Sequence, residues 1–182
     1  MFFLRKSRLE PLPVTMSGVR MGERALQIGI ADPTLACAIA AKVGLSGQAA
    51  IAVIDDRTAA TAHAAAATAG VFLDVQVTPL DSLPFEGDSF DAIVLHATAG
   101  ALPSLEDAAG GAMLREGHRV LRTGGRIVIV EGSPRRGLGR WLPARSQPQH
   151  PGAAVDALRA AGFRAARPLG EREGYRFAEG LK

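Results

Sequence analysis

The sequence of 182 residues predicts one α/β domain, with a mostly parallel seven-stranded sheet, helices on both faces and an antiparallel pair of strands at its end. Two observations lead to this prediction. Short apolar segments of strand length alternate with longer helical segments, which is the order that parallel strands with crossover helices require. The last two strand-like segments follow each other closely and suit an antiparallel pair.

The predicted elements follow one another along most of the chain. The strands are expected at 25–29, 49–54, 71–77, 90–95, 126–130, 163–169 and 175–180, and the helices at 33–43, 58–69, 106–121 and 153–161. Gly44, Gly70 and Gly162 follow three of these helices and are typical helix stop signals. The segment 49–54, AAIAVI, is continuously apolar, as is usual for a strand buried on both faces.

The rest of the chain is expected to add little to this core. Residues 1–21 are predicted to form an N-terminal tail, and 132–151 a loop rich in proline, glycine and arginine that includes Trp141. Without an internal repeat or a low-complexity linker, residues 1–182 are expected to form a single domain. The tail is too short and too charged for a signal peptide or a membrane span, so a cytoplasmic location is expected.

Composition narrows the class of function. The formal charge is +3, but 18 acidic residues are interspersed among 21 basic ones, so a nucleic-acid partner is not expected. The single cysteine, Cys37, excludes an intramolecular disulfide and is expected to be a small buried group. The sequence contains no metal-ligand spacing, and it leaves a protein partner or a homodimer open.

The turn IGIADPT, which follows the first predicted strand, lies where α/β sheets bind ligands. It retains one glycine, Gly29. Asp32 is a favoured residue for capping a helix, and Pro33 is favoured at the first helical position. We therefore expect Asp32 to satisfy the N-terminal N–H groups of the following helix and to place a negative charge there.

Four stretches resemble the class I S-adenosylmethionine-dependent methyltransferases, in particular the small-molecule branch that includes quinone-modifying enzymes. They are GERALQIG, AIAVIDD, LPFEGDSFDAIVL and EGHRVLRTGGRIVIVEG, and the C-terminal AAGFRAARPLGEREGYRFAEGLK resembles the closing helix and strands of that family. The resemblance implies a Rossmann-like fold, S-adenosylmethionine as the cofactor and methyl transfer to an acceptor that the sequence does not identify.

The resemblance also implies positions for the cofactor site. The first loop would contact the cofactor through Gly29, Ile30 and Ala31, and Asp55, followed by Asp56, would bind the ribose hydroxyls. Asp81 and Leu83 would lie near the adenine. A capping role for an acidic residue at 55–56 is the alternative, with Asp56 as the cap of a helix that begins near Thr58.

Four positions depart from the family pattern. Gln27 stands where an acidic residue usually ends the first strand, Ala31 and Pro33 replace glycines, and Pro79 replaces an acidic adenine contact. These departures leave two hypotheses open: a working methyltransferase, or a catalytically inert relative used for binding or assembly. A nicotinamide-dependent reductase is a third hypothesis with less support, because the phosphate loop of such enzymes needs more glycines than this turn has.

His96 is the candidate catalytic residue. It follows the fourth predicted strand, and a histidine there could act as a general base because its pKa is close to neutral. A hydrogen-bonded residue at the end of a strand is the alternative. His63, His118 and His150 are expected at the surface.

Overall fold

The computed structural model describes residues 10–30, 32–97, 102–132 and 152–182, and these form one seven-stranded sheet with helices on both faces. The strands are β1 (Arg24–Ile28), β2 (Gln48–Val53), β3 (Asp74–Val77), β4 (Phe90–Ala97), β5 (Leu121–Gly132), β6 (Arg164–Arg172) and β7 (Tyr175–Leu181). The helices are α1 (Leu12–Met16), α2 (Pro33–Val43), α3 (Asp56–Ala69), α4 (Ala108–Val120) and α5 (Ala153–Ala160).

The strand order, β3-β2-β1-β4-β5-β7-β6, confirms the predicted fold class. Strands β1 to β5 pair in parallel, whereas β7 is antiparallel to both β5 and β6. The chain moves outward from β1 through β2 to β3, then returns to the other side of β1 with β4. This reversal creates a crevice between the carboxyl ends of β1 and β4, where open α/β sheets bind their ligands.

Apolar side chains cover both faces of the sheet. On one face, Leu26, Ile93 and Ile129 belong to a cluster with α4 and α5. On the other, a cluster that includes Val94 and Val128 packs against α1 and α2. Burying one side chain of this size stabilises the fold by about 1.5–3 kcal/mol, so the two layers hold the sheet rigidly.

Helix α3 joins the same face as α2 through small side chains. Its buried residues are Ala59, Ala62 and Ala66, and two of them pack with Ile51 and Val53 of β2. Alanine lets the helix approach the sheet closely, because it adds little bulk between the two backbones. The outer part of the sheet therefore depends on close packing rather than on large side chains.

Several predicted boundaries differ from the structure. Strand β3 begins at Asp74 rather than at residue 71, because the N–H group of Val71 donates to Ala66 O (3.1 Å) at the end of α3. Strand β5 is longer than predicted, since its ends pair with β4 and β7. Within the segment predicted as a tail, Val14 and Val19 are buried in the core.

The predicted loop at 132–151 lies outside the described residues except for Gly132, which ends β5. None of the helices among the described residues is long and apolar enough to cross a membrane.

Candidate active site

Gly29 forms the turn that follows β1, at the crevice between β1 and β4. Its backbone has a φ of +75°, a conformation that favours glycine, and its N–H group donates to Ala52 O (3.0 Å). The side chain of Leu102 packs against this turn. A Cβ atom at position 29 would lie 2.9 Å from Leu102 Cδ2, so the leucine side chain would have to shift to admit any other residue.

The N-terminus of α2 is capped by the protein itself, as the sequence predicted. Asp32 Oδ1 accepts hydrogen bonds from Thr34 N (2.9 Å) and Thr34 Oγ1 (2.7 Å), and Pro33 occupies the first helical position. The carboxylate of Asp32 adds a negative charge beside the Gly29 turn. Ala31 lies outside the described residues.

Asp55, the predicted ribose ligand, caps α3 at the carboxyl end of β2. Its two carboxylate oxygens accept from Thr58 N (2.7 Å) and Thr58 Oγ1 (2.9 Å). These hydrogen bonds hold the pKa of Asp55 below its usual value. The expectation that Asp56 caps a helix starting near Thr58 is wrong: α3 begins at Asp56, two residues earlier, and Asp56 lies exposed in its first turn.

Asp55 nevertheless remains able to bind a ligand. Its residue is exposed, and each carboxylate oxygen has two lone pairs, of which Thr58 uses one. A hydroxyl group that donates to Asp55 therefore does not have to displace the cap. The ribose role stays a prediction that is compatible with the capping role.

Polar side chains with unused hydrogen-bonding atoms are buried at the ends of β1, β4 and β5. Among the described residues, Gln27 Oε1, both ring nitrogens of His96 and Glu131 Oε1 have no hydrogen-bond partner. The three residues are only 1%, 2% and 8% exposed. Gln27 and His96 share one face of the sheet, and Glu131 lies on the other. Leaving such a group unpaired costs about 1–3 kcal/mol, so the pair at the crevice indicates a ligand site.

His96 lies inside β4 rather than after it. It directly follows Leu95, which forms with Ile28 the last pair between β1 and β4 before the crevice. Burial lowers its pKa to about 4, although the nearby carboxylate of Asp32 acts in the opposite direction. The imidazole is therefore neutral near pH 7 and is a weaker base than an exposed histidine. Its catalytic role stays a prediction.

Gln27 stands on the neighbouring strand, where its Nε2 donates to Ala36 O of α2 (3.2 Å). This hydrogen bond fixes the amide, so that the unpartnered Oε1 is held in place as an acceptor. An amide oxygen can accept from an ammonium group, although more weakly than the carboxylate it replaces in the family pattern.

The sequence reasoning missed Glu131, the second to last residue of β5. Its Oε2 lies 3.6 Å from Arg176 Nε, beyond an ordinary hydrogen bond, and Oε1 has no partner among the described residues. Burial raises the pKa of Glu131, Arg176 opposes this shift and Glu106 adds to it. An acidic residue ending the apolar run RIVIVEG was the available signal.

The residues predicted to lie near the adenine offer fewer free hydrogen-bonding groups. Leu83 is buried, and its backbone groups are already used: its N–H donates to Glu116 Oε2 (2.9 Å), and its carbonyl accepts from Arg119 Nη2 (3.1 Å). Asp81 is exposed on the turn before it, and Ile30 packs partly buried against the cluster between α2 and α3. The structure therefore gives Leu83 a structural role and leaves Asp81 accessible.

His63, His118 and Cys37 lie on other helices, and His150 lies outside the described residues. His63 is exposed as predicted, and His118 is half-buried at the surface, where it packs edge-on against Phe163 (5.0 Å between ring centroids). Cys37 is buried in α2, as expected. No group of three metal-ligating side chains occurs within the described ranges.

Comparison with known proteins identifies the family. Residues 26–129, more than half of the chain, match the family model described as a methyltransferase domain. The ubiquinone/menaquinone biosynthesis C-methyltransferase UbiE of Ectopseudomonas mendocina is 32% identical over 120 residues, which cover 65% of this chain and 45% of that protein. The chain thus spans about half the length of this curated relative.

Solved structures show the same fold. A S-adenosylmethionine-dependent methyltransferase from Aquifex aeolicus has a TM-score of 0.70 at 15% identity, covering 92% of this chain and 86% of its own. The [4+2]-cyclase SpnF also has a TM-score of 0.70, at 20% identity, and covers 96% of this chain and 80% of its own. With its matching family model and its parallel sheet closed by an antiparallel β7, this chain belongs to the class I S-adenosylmethionine-dependent methyltransferase family.

Proposed function

We propose that this chain binds S-adenosylmethionine at the carboxyl edge of β1 and β2 and transfers a methyl group to a small-molecule acceptor. The observation that carries the proposal is the pair of buried polar side chains Gln27 and His96, whose Oε1 and ring nitrogens have no partner among the described residues. They share one face of the sheet near the ends of the neighbouring strands β1 and β4, at the crevice where this fold binds ligands. Such atoms destabilise a core, because a buried polar atom costs free energy unless it forms a hydrogen bond, here with a ligand.

The residues present fit two parts of the cofactor. Gly29 allows close approach to the backbone, and the fixed Oε1 of Gln27 is an acceptor for the ammonium group of the cofactor's amino-acid end. Asp55 has free lone pairs for the ribose hydroxyls. For the amino-acid end to reach the Gly29 turn, the side chain of Leu102 has to change its conformation.

When bound, S-adenosylmethionine supplies a methyl group on a positively charged sulfur. The protein's own task is then to hold the acceptor in line with that group and to keep water away. The buried end of β4 suits this task, since His96 and Gln27 are polar groups on the same face of the sheet, whereas Glu131 of β5 points to the opposite face. The methyltransferases of quinone biosynthesis among the relatives support an aromatic acceptor.

Isothermal titration calorimetry with S-adenosylmethionine and S-adenosylhomocysteine tests the proposal. We expect both ligands to bind to the wild-type chain, and the Leu102→Ala variant to bind more tightly, because its smaller side chain opens the Gly29 turn. The variant's stability should be measured in parallel. The absence of heat with millimolar ligand, for the wild type and for Leu102→Ala alike, would contradict the proposal.

A catalytically inert protein with a role in binding or assembly is the second candidate. Two observations favour it: Leu102 covers Gly29, and Asp32 both satisfies and neutralises the N-terminus of α2. The triple variant Ala31→Gly, Asp32→Thr, Pro33→Gly separates the candidates. If only this variant binds S-adenosylhomocysteine, the natural loop is the block and the inert candidate is supported; if the wild type binds, that candidate is excluded.

A further inference from the structure

We propose that the outer edge of β3 binds the same edge of a second copy of this chain, so that the two sheets join across a twofold axis at Gln76. Strand β3 is the first strand of the sheet, and within the described residues only β2 pairs with it. Its other edge therefore presents backbone groups that a further strand can bind. The inference is independent of the proposed function.

The pairing of β3 with β2 shows which backbone groups face outward. The N–H group of Thr78, directly after the strand, donates to Val53 O of β2 (2.9 Å). Since successive residues of a strand direct their backbone groups to opposite sides, Gln76 also faces β2, whereas Val75 and Val77 face outward. Two alternate residues thus present N–H and carbonyl groups, as an antiparallel partner strand requires.

A twofold axis at Gln76 makes this edge complementary to itself. In that register Val75 lies opposite Val77 of the second copy, and each exchanges both of its backbone hydrogen bonds with the other. Gln76 faces its own counterpart at the axis, where an amide can both donate and accept, whereas a charged side chain would meet a like charge. A contact between identical surfaces requires such self-complementarity.

The segment that leads into β3 is free of charge. No Asp, Glu, Lys or Arg occurs from residue 58 to 73, although 21% of the chain is charged. Helix α3 packs against β3, and its exposed residues include Ala60 and Ala64. In the proposed register Asp74, the one charged residue of β3, lies opposite Thr78 rather than its own copy. In a twofold contact each charge near the axis approaches itself, so an uncharged surface favours a second copy over a charged partner.

Strand β6, at the other edge of the sheet, is protected against such pairing. It contains Pro168, and its register with β7 shifts between Arg164 and Arg167 and again after Pro168. Arg172 adds another exposed charge. Proline, bulges and charged side chains are the features that keep edge strands from pairing with other chains. Strand β3 has no proline and keeps a regular register with β2, so β3 is the edge that remains open to pairing.

Exposed apolar side chains at both ends of β3 add contact area. Phe72 is 83% exposed and Val77 46%. Continuing the register places Phe72 opposite Leu80 of the second copy, beside the exposed Pro79, where an aromatic side chain can bury about 150–250 Å². A strand of four residues offers limited further area, and stable complexes bury about 800 Å² per partner. We therefore expect a dimer that dissociates in the micromolar range.

Sedimentation velocity of the wild type from about 1 to about 300 µM tests the inference, and we expect a shift from monomer to dimer. Gln76→Lys and Gln76→Glu should each weaken dimerisation at least about tenfold, because like charges then meet at the axis. An equimolar mixture of the two variants should dimerise again, because opposite charges meet. Gln48→Lys makes the same change at an exposed residue of β2 and should keep the dissociation constant within about twofold of the wild type.

Three results would overturn the inference: a wild type that stays monomeric, a dimer that neither Gln76 variant weakens, or a mixture of the two variants that stays monomeric. Amide hydrogen exchange of the wild type is a second readout that needs no substitution. The N–H groups of Val75 and Val77 should exchange more slowly at about 300 µM than at about 1 µM, whereas that of Gln76, which faces β2, should not change. Exchange at Val75 and Val77 that is independent of concentration would also overturn the inference.

Discussion

Replacing Gly29 with alanine tests how the turn after β1 is built. A side chain at φ +75° costs about 1–2 kcal/mol, because Cβ approaches the following carbonyl. The new Cβ would also lie 2.9 Å from Leu102 Cδ2 and 3.1 Å from Cδ1, so the leucine has to move. Such crowding typically costs about 1–3 kcal/mol, which gives an expected loss of about 2–5 kcal/mol in the free energy of unfolding.

Gly70→Ala is the matched control. Gly70 ends α3 at φ +66°, and a Cβ atom there would meet nothing within 4 Å. This variant isolates the backbone cost of about 1–2 kcal/mol. Urea unfolding followed by circular dichroism measures both variants. If Gly29→Ala loses no more free energy of unfolding than Gly70→Ala, the close contact with Leu102 is refuted.

The double variant Gly29→Ala, Leu102→Ala completes a thermodynamic cycle. Leu102→Ala alone loses some buried surface, and the cycle subtracts that loss. If crowding is the cause, the two substitutions together should destabilise the protein by less than the sum of their separate effects, by about 1 kcal/mol or more. Additive effects would show that Gly29 and Leu102 do not interact.

Three further predictions concern the capping and buried polar groups. Asp55→Asn keeps a good helix cap, so the free energy of unfolding should change by less than about 0.5 kcal/mol. Calorimetry should show about tenfold weaker binding of S-adenosylhomocysteine to this variant, because a hydrogen bond to a charged group is lost. Unchanged affinity would exclude a contact between Asp55 and the bound compound. His96 has its pKa lowered from 6.5 to about 4, so its stabilisation is complete above pH 6.5 and is lost as the pH falls toward 4, by about 3 kcal/mol in total. Urea unfolding measures the free energy of unfolding at several pH values across this range. The decrease toward pH 4 should be absent in His96→Gln and present in the wild type and in the exposed control His63→Gln. An equal pH dependence in all three proteins would contradict the burial of a neutral imidazole. Asp32→Ala should destabilise the protein by about 1 kcal/mol in urea unfolding, whereas Asp32→Asn should have little effect; a stable Asp32→Ala variant would show that the cap contributes little.

The fold and the cap of α2 could be predicted because their signals are local. Alternation of strand and helix segments gave the parallel sheet, and Asp32 before Pro33 gave the start of α2. The cap of α3 was assigned one residue too late, because Asp55 and Asp56 are adjacent and either could accept from Thr58. Only the backbone conformation, which is extended at Asp55, distinguishes them.

Contacts between distant segments could not be predicted. Leu102 reaches Gly29 across more than seventy residues of sequence, and nothing in its neighbourhood marks it as a contact of that turn. Arg126 on β5 likewise binds Glu23 (2.7 Å from Nη2 to Oε2) and the carbonyls of Ser17 and Gly18, which fixes a segment expected to be a tail. The burial of Glu131 is of the same kind, because it depends on how β5 and β7 pair.

The central claim is that this chain holds S-adenosylmethionine at the Gly29 turn and at Asp55. A titration of the nitrogen-15-labelled protein with S-adenosylhomocysteine, followed by amide NMR, tests it most directly. The claim predicts saturable shifts at Gly29 and Asp55 and unchanged signals at Leu45 and Phe72, which line a groove of about 720 Å³ near the opposite ends of β2 and β3. No shifts at saturating ligand, or shifts confined to that groove, would contradict it.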